Sequence, residues 1–490
     1  MTAVQINAVL SQVGALAKAK GLSLYLVGGF LRDQLLGRAR HPVNLDFAIA
    51  SGALTVGQEL AAHLRGAYIC LDEATRTSRV VVGRDEGRLE LDFADFRSRT
   101  LEDDLAKRDF TINAMAVALD DWLADPGGWT SRLIDPLQGR HDVAERRLRA
   151  CFPETFLEDP VRILRAFRFA VELSVTLEPS LTALMASASS GLSRIAGERV
   201  RDELFAILDT DRAGWALRQL NEVGALDVLF PELVPGRGIE QGGYHHLDVL
   251  NHQLEAVAQC DRMLCDVAEF SQPLRAPLAA YLAQDVVERR TRKALVKLSA
   301  LYHDVGKPAT RRVKDDGEIW FIGHEQFGAG LTDPMTTRLR LSNREAEMVR
   351  LLVLFHLRPG HLSRQAQLTR RAIFRFFRDV GEDGPACLLM WWADRLATRG
   401  PSSHLDQIDQ QRARLEELLG AYFFKPEEAI RPPRLLDGRQ LMEALGLKPG
   451  PVVGELLRAI EEAQAEGRLH DQIEALTFAR EMLKQVTRDT

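Results

Sequence analysis

The segment NLDFAIA, residues 44–50, decides how the first part of the chain is interpreted. Successive side chains of a β-strand point to opposite faces, so the segment places three apolar side chains on one face and Asn44 with Asp46 on the other. The apolar face is typical of a strand packed on a core. The polar face is available for chemistry.

A second segment, RLELDFADF at residues 88–96, has the same alternation and places Glu90 and Asp92 on one face. If the two strands share a sheet, Asp92 approaches Asp46. Paired carboxylates bind Mg²⁺, and phosphoryl transfer uses such ions to neutralise charge on the attacking and leaving oxygens. The alternative is that these acids are solvated on an edge strand, and periodicity alone does not decide between the two.

Upstream, LYLVGGFLRD at residues 24–33 is an apolar strand that runs through Gly28-Gly29 into a helix. Backbone N–H groups at such a turn can cradle a triphosphate. Taken by itself, a Gly-Gly pair more often marks an ordinary structural turn, because glycine tolerates positive φ.

The order of these segments resembles a known family. GGFLRD (28–33), the NLD strand and KRDFTINAMA (107–116) resemble the GGxVRD, DxD and RRDFTINA motifs of class II CCA-adding enzymes and bacterial poly(A) polymerases. The resemblance continues through IDPLQGRHDV (134–143), FLEDPVRILRAFRFA (156–170) and ERVRDEL (198–204). It implies an α+β fold, with a polymerase-β-like head of mixed sheet and helices followed by mostly α-helical neck and body domains.

The resemblance also implies roles for individual residues. It places the head metal, Mg²⁺, on Asp46 and Asp92. It assigns nucleotide binding to Gly28, Gly29, Arg32, Asp33, Arg108, Asp109, Asn113, Asp159 and Arg162.

Within that set, Asp159 and Arg162 match the pair of residues that, in the family, selects the incoming base in place of a nucleic-acid template. An Asp acceptor beside a rigid Arg donor fork can address the hydrogen-bonding edge of C or A. The same segment is also a favourable helix N-terminus, with acids near the dipole and Pro160 early in the helix. Arg165 follows on the same helical stripe, where it either meets phosphate or is solvated.

The chain departs from the family at Asn44, which stands where the first Asp of DxD is expected. An amide removes a negative charge and offers a metal only a neutral carbonyl oxygen. Three interpretations follow: an enzyme that tolerates Asn, a chain altered to trap substrate, or a head that only binds nucleotide or RNA.

Five segments of the second half contain histidines and aspartates that could ligate metal: HHLDVLNH (245–252), LYHDVGK (301–307), GHEQFGA (323–329), LFH (354–356) and MWWADRLA (390–397). Their order resembles the HD phosphohydrolase domain. The resemblance implies first-metal ligands at His252, His303, Asp304 and Asp394. It leaves His324 and His356 for a second metal or a substrate phosphate. Such mixed ligands suit Mn²⁺, Fe²⁺, Co²⁺, Ni²⁺ or Zn²⁺ better than Mg²⁺, and Lys307 could hold a phosphate.

Composition sets wider bounds. A chain of 490 residues is too long for one core, and breaker-rich segments favour a head (1–140), a neck and body (141–235), an HD-type domain (236–405) and a helical tail (406–490). No apolar run is long enough for a membrane span, and five cysteines without a CxxC pair indicate reduced thiols in the cytoplasm. The net charge of −6 excludes a globally basic coat but not local basic stripes.

We therefore expect an RNA nucleotidyltransferase that adds C and/or A to tRNA or other RNA 3′ ends from CTP or ATP. Two alternatives stay open: an HD phosphohydrolase with a catalytically weak head, and a non-catalytic RNA-binding protein. The oligomeric state is not predicted.

Overall fold

The computed structural model describes residues 3–38, 43–83, 88–403, 405–429 and 433–486. The chain divides into two compact units. The first comprises Met1–Ile195 and Glu222–Val228, and the second Ala196–Asn221 and Leu229–Thr490. The division into four parts stays a prediction.

A six-stranded mixed sheet lies at the centre of the first unit, which confirms the predicted head architecture. Its order is β3-β4-β5-β2-β1-β6, with β2 and β5 parallel and every other neighbouring pair antiparallel. The strands are β1 (Leu24–Val27), β2 (Val43–Ile49), β3 (Ala67–Asp72), β4 (Thr77–Val82), β5 (Leu89–Asp95) and β6 (Ala116–Ala118).

The register of the two central strands is fixed by their apolar face. Phe47 and Phe93 are Cα partners across β2 and β5, and their rings stack with centroids 4.8 Å apart. Leu45 and Leu91, which are also partners, are fully buried. Because side chains alternate with a period of two, a one-residue slip would turn this face to solvent, so the register is strongly specified.

Helices surround the sheet of the first unit and continue the chain beyond it. They are α1 (Ala3–Ala19), α2 (Gly29–Leu35), α3 (Ala53–Leu64), α4 (Leu101–Ala106), α5 (Leu119–Ala124), α6 (Gly139–Ala144), α7 (Thr155–Glu158), α8 (Arg162–Glu172) and α9 (Ser180–Ala188). A two-stranded ladder joins β7 (Arg147–Leu148) to β8 (Thr176–Leu177). The helix predicted to have Pro160 near its start begins two residues later, at Arg162.

The second unit is almost entirely helical, as the sequence predicts. Two small ladders interrupt it, β9 (Asp285–Val287) with β10 (Arg290–Thr291) and β11 (Arg312–Val313) with β12 (Ile319–Trp320). The helices from the end of the first unit through the second are α10 (Gly197–Leu208), α11 (Ala213–Glu222), α12 (Ala225–Leu229), α13 (Val249–Cys265), α14 (Gln272–Leu282), α15 (Arg292–Tyr302), α16 (Lys307–Thr310), α17 (His324–Arg338), α18 (Asn343–Phe355), α19 (Arg358–Ser363), α20 (Arg370–Val380), α21 (Gly384–Ala397), α22 (Ile408–Phe424) and α23 (Pro426–Ala429).

The tail forms its own small apolar cluster from α24 (Gly438–Leu445), α25 (Pro451–Ala465) and α26 (Gln472–Val486). Helix α25 begins at Pro451 directly after Gly450, and the preceding helix ends at Leu445, where Gly446 adopts a left-handed φ of 65°. In the described part of the chain, no helix is both long and apolar enough to cross a membrane.

Candidate active site

The polar face of the central strands brings the predicted head residues together. Asp46 is the Cα partner of Asp92, and Asn44 is the partner of Glu90. The Asn44 amide donates from Nδ2 to Asp92 Oδ2 over 3.4 Å, while its Oδ1 is buried without a hydrogen-bond partner among the described residues. Burial and the nearby charge of Asp92 raise the pKa of Asp46 to about 6. The register thus places Asp46 and Asp92 side by side on one face with Asn44, and carboxylate and amide oxygens are ligands that a hard divalent ion prefers.

Arg79 of β4 is a site residue that the sequence did not reveal. It is the Cα partner of Asp92, and its guanidinium donates from Nε and Nη2 to the two carboxylate oxygens of Asp92, each over 2.7 Å. Its Nη1 lies 2.9 Å from Glu90, which also pairs with Arg88 at 2.8 Å. The apolar run after Arg79 marks a strand, but the sequence does not show which strand pairs with it, because the order of strands in the sheet decides that.

The glycine turn lies directly against this face. Gly28 has a φ of 77°, and a Cβ at this position would lie 3.1 Å from Asp46 Oδ2 and 3.5 Å from Arg108 Nη1. Both the conformation and the approach therefore favour glycine. Gly29 begins α2, which confirms the predicted strand-turn-helix. Arg108 is held by Asp104 over 3.2 Å, and its Nε is buried without a partner in the described chain.

A buried hydrogen-bond network connects the motifs behind the turn. Arg32 donates to Asp33 over 2.9 Å and to Asn113 over 2.7 Å. Asn113 donates to Asp109 over 3.2 Å, and Arg165 donates to the other oxygen of Asp109 from Nε and Nη2 over 2.9 and 2.7 Å. Burial raises the pKa of Asp109, but Arg165 and the other donors outweigh it and hold the value at about 2. Asp109 is therefore an anion that orders its neighbours.

Asp159 and Arg162 lie at the junction of α7 and α8. Asp159 follows the last residue of α7, and its carbonyl accepts the backbone N–H of Arg162 over 3.0 Å. The buried Arg162 guanidinium donates to Thr155 Oγ1 over 2.7 Å and lies 5.8 Å from the ring centroid of Phe152. Thr155 thus fixes the orientation of Arg162, a contact that spacing alone did not indicate.

In the second unit, all six predicted HD ligands converge. His252 Nε2 lies 2.9 Å from Asp394 Oδ1, and His303 Nε2 lies 3.1 Å from Asp304 Oδ2. On the other side of Asp304, its Oδ1 lies 3.3 Å from His324 Nε2 and 3.7 Å from His356 Nε2. Asp304 is therefore shared by two clusters of potential ligands.

Helix ends place and orient these imidazoles. His303 and His356 follow the last residues of α15 and α18, and their Nδ1 atoms lie 2.7 Å from the carbonyls of Ala300 and Val353. Carbonyls of a final helical turn need partners, and these contacts leave each Nε2 facing the cluster. Nε2 of His303 is buried and lies 3.1 Å from Asp304 Oδ2 and 3.5 Å from Asp394 Oδ1, so one imidazole nitrogen and two carboxylate oxygens converge as expected of a metal site.

Charge at this cluster supports the same interpretation. Burial lowers the pKa of His303, but Asp304 and Asp394 act more strongly and raise it to about 10. Burial and the neighbouring imidazoles lower the pKa of His356 to about 3. The two carboxylates therefore attract positive charge, while His356 is a neutral donor. A cavity of about 300 Å³ adjoins the cluster and is lined by Lys307, Arg364 and Arg395 among others.

A head sheet with paired acids beside a glycine turn, followed in the same chain by a histidine-aspartate cluster, defines a nucleotidyltransferase joined to an HD domain. Residues 24–149 match the poly(A) polymerase head domain, and residues 174–236 match a probable RNA and SrmB-binding site of polymerase A. Residues 273–399 match the HD domain, and residues 401–479 match the putative domain 2 of tRNA nucleotidyltransferase. Nucleotidyltransferase and HD domains generally use divalent metal ions.

The chain is 36% identical to the A-adding tRNA nucleotidyltransferase of Deinococcus radiodurans, over 92% of this chain and 94% of that protein. It is 34% identical to the CC-adding tRNA nucleotidyltransferase of Thermus thermophilus, over 92% of each. The Thermotoga maritima CCA-adding enzyme complexed with tRNA has the same fold, with a TM-score of 0.61, 21% identity and coverage of 99% of this chain and 96% of that one. The chain belongs to the tRNA nucleotidyltransferase family, and the protein is a nucleotidyltransferase.

Proposed function

We propose that this protein adds C and/or A to the 3′ end of tRNA without a nucleic-acid template. The RNA 3′-hydroxyl attacks the α-phosphate of CTP or ATP, and pyrophosphate leaves. The observation that carries the proposal is the in-register pair of Asp46 and Asp92 beside the Gly28 turn. One relative adds A and the other adds CC, so the family covers both nucleotides.

Within the head, Asp46 and Asp92 would hold Mg²⁺, with the free Asn44 carbonyl oxygen as a neutral donor. When bound, the ion supplies positive charge to the phosphates and to the attacking oxygen. The Gly28-Gly29 turn and Arg108 hold the triphosphate, because the turn leaves room against Asp46 and the Arg108 Nε lacks a partner among the described residues.

The buried network gives the remaining motif residues supporting roles. Asp109 and Asn113 present the ribose and phosphate contacts, and Arg32, Asp33 and Arg165 hold them in place. Asp159 and Arg162 select the base, with Thr155 fixing the Arg162 guanidinium. A rigid donor fork discriminates better than a mobile one, because its hydrogen bonds require less ordering on binding.

The test is extension of three tRNAs that end at the discriminator base, at C and at CC, each with labelled CTP or ATP. A CCA-adding, a CC-adding and an A-adding activity give different product ladders. Asp46→Asn is the control and should abolish extension while tRNA binding persists. Binding of tRNA by the unaltered protein with no extension in any ladder would contradict nucleotidyl transfer as its function.

The geometry of the second unit favours a further activity, metal-dependent hydrolysis of a phosphoester. His252, His303, Asp304 and Asp394 would hold one transition metal ion, Mn²⁺, Fe²⁺, Co²⁺, Ni²⁺ or Zn²⁺, which can lower the pKa of a bound water. His324 and His356 would hold a second ion or the substrate phosphate. The basic lining of the adjacent cavity suits a phosphate. Phosphate release that requires added metal and is lost in Asp304→Ala tests this activity.

We place this function in the cytoplasm, because Cys70, Cys151, Cys260 and Cys387 are free thiols. We also propose that the work divides along the predicted boundaries. Residues 1–140 carry out transfer, 141–235 select the base and contact RNA, 236–405 bind the HD metal, and 406–490 contribute packing or support the RNA.

A further inference from the structure

On the face of the head sheet that is proposed to bind metal, an arginine side chain is paired with one of the acids. Arg79 holds both oxygens of Asp92 in a two-pronged contact, with N–O distances of 2.7 Å. Such a fork is among the strongest arrangements of charged hydrogen bonds, and it occupies one lone pair on each oxygen. A metal ion that takes Asp92 as a ligand must compete with this guanidinium.

The other acids of this face determine which carboxylates remain available to a metal ion. Asn44, Asp46, Glu90 and Asp92 form two in-register pairs on one face of the sheet. Glu90 is buried and paired with Arg79 and Arg88, and Asp92 is paired with Arg79. Among the described residues, Asp46 is therefore the carboxylate of this face that accepts no hydrogen bond from a guanidinium.

We propose that Arg79 is a positioning residue of the nucleotidyl-transfer centre that limits its affinity for divalent metal. Arg79 orients Asp92 and neutralises its charge. Because position 44 is an uncharged amide, Asp46 is then the main anionic ligand of the metal-free head. A metal ion that enters the head must then compete with Arg79 for Asp92, against both its charge and its hydrogen bonds. This inference rests on the proposed assignment of Asp46 and Asp92 as metal ligands.

The expected effect of removing Arg79 follows from its charge. Arg79→Met frees both oxygens of Asp92 and removes a positive charge from the first neighbours of the ion, so the affinity of the head for Mn²⁺ should rise by roughly tenfold or more. Arg79→Lys keeps the charge but cannot form the planar fork, so its increase should be smaller, about threefold.

Arg88→Met is the matched control, because Arg88 pairs with Glu90 over 2.8 Å while Arg79 forms the two-pronged contact with Asp92. It removes the same charge from the same face, and Mn²⁺ affinity should change by less than about twofold, since Arg79 still holds both acids.

The experiment is a titration of the full-length protein with Mn²⁺, in which electron paramagnetic resonance counts free and bound ion. The HD cluster is identical in every variant, so differences report on the head. Asp46→Asn should remove the head ion. If it does not, the metal ligands themselves are wrongly assigned, whatever Arg79 does.

If Asp46→Asn removes the ion but both Arg79 variants bind Mn²⁺ no more tightly than the unaltered protein, Arg79 does not compete and the proposal is overturned. A loss of affinity in both variants overturns it equally, because it would mean that Arg79 serves only to orient a ligand. Should Arg79→Met unfold, Arg79→Lys alone decides the outcome. Extension assays at low Mg²⁺ concentration give a second measure. If Arg79 limits metal affinity, Arg79→Met should reach full activity at a lower Mg²⁺ concentration than the unaltered protein.

Discussion

Introducing an acid at position 44 should have two opposite effects on the head, on its stability and on its rate of transfer, and these can be measured separately. Asn44 Nδ2 lies 3.4 Å from Asp92 Oδ2, so Asn44→Asp replaces a hydrogen bond by two facing carboxylates. Unit charges at that distance repel by about 1 kcal/mol in water and about 5 kcal/mol at an effective dielectric constant of 20. Arg79 neutralises part of the Asp92 charge, so we expect a loss of about 2 kcal/mol in the free energy of unfolding without metal.

With metal present, the same substitution should increase activity. A carboxylate in place of the amide stabilises the ion next to the attacking hydroxyl, where one transition-state electrostatic contact contributes roughly 3 kcal/mol, or about 10²-fold in rate. Affinity for ATP should change little, because the Gly28 turn and Arg108 remain. The expected signature of Asn44→Asp is therefore lower stability in chelator, recovery in Mg²⁺ and faster transfer.

Two assays compare Asn44→Asp with the unaltered protein. Denaturant unfolding with EDTA and then with Mg²⁺ measures stability, and single-turnover extension of a tRNA ending in CC, with Mg²⁺ and then with Mn²⁺, measures transfer. Unchanged transfer would refute the assignment of position 44 as a metal ligand, as would transfer by the unaltered protein at a normal polymerase rate. Equal stability in EDTA would refute the electrostatic reasoning, since the two carboxylates would then not face each other.

Three further outcomes are expected. Asp46 has a pKa of about 6 in the folded protein against an ordinary 3.8, so between these pH values the folded state binds a proton that the unfolded state has lost. Above pH 6, ionised Asp46 therefore lowers the free energy of unfolding by about 3 kcal/mol. Asp46→Asn should raise the denaturant midpoint in EDTA at pH 7.5 but not near pH 4. Arg162→Ala should impair nucleotide choice and incorporation more than tRNA binding, by roughly 1–3 kcal/mol in kcat/KM, and equal incorporation of all four nucleotides by the unaltered protein would end the base-selection role. Asp304→Ala should remove the HD metal without reducing tRNA extension, which plasma emission analysis can show; unchanged metal content would mean that Asp304 is not a ligand.

The head could be predicted from sequence to the extent that its strands are amphipathic. Alternation in residues 44–50 and 88–96 identified β2 and β5 and placed Asp46 and Asp92 on one face, which the register confirms. The edge strand β3 was missed, because most of its side chains are exposed and carry no alternation of burial. The three-residue β6 is too short for any periodic pattern.

The contacts that tune the site could not be predicted, because they join residues brought together by sheet order and helix packing. Arg79 faces Asp92 only because β4 pairs with β5, and Thr155 reaches Arg162 only because α7 turns into α8. The convergence of the HD cluster was predictable, since its segments occur in the family's order, while the role of these residues as metal ligands stays a prediction. The salt bridge of 2.6 Å between Lys307 and Asp304 could not be predicted, because a lysine three residues after the aspartate could equally have served only to hold phosphate.

The two candidate centres share an electrostatic design that bears on the departure at Asn44. In each, a basic side chain holds a central carboxylate, Arg79 on Asp92 and Lys307 on Asp304. In each, uncharged donors can complete the set, the Asn44 carbonyl in the head and imidazoles in the HD cluster, where His303 must give up its proton to ligate a metal. Asp46, Asp92 and Arg79 in the head sum to a charge of −1, as do Asp304, Asp394 and Lys307 in the HD cluster once His303 is deprotonated, so a divalent ion gains from entering both. A neutral residue at position 44 is therefore compatible with metal binding, and its consequence should fall on the rate of transfer and on the metal concentration required.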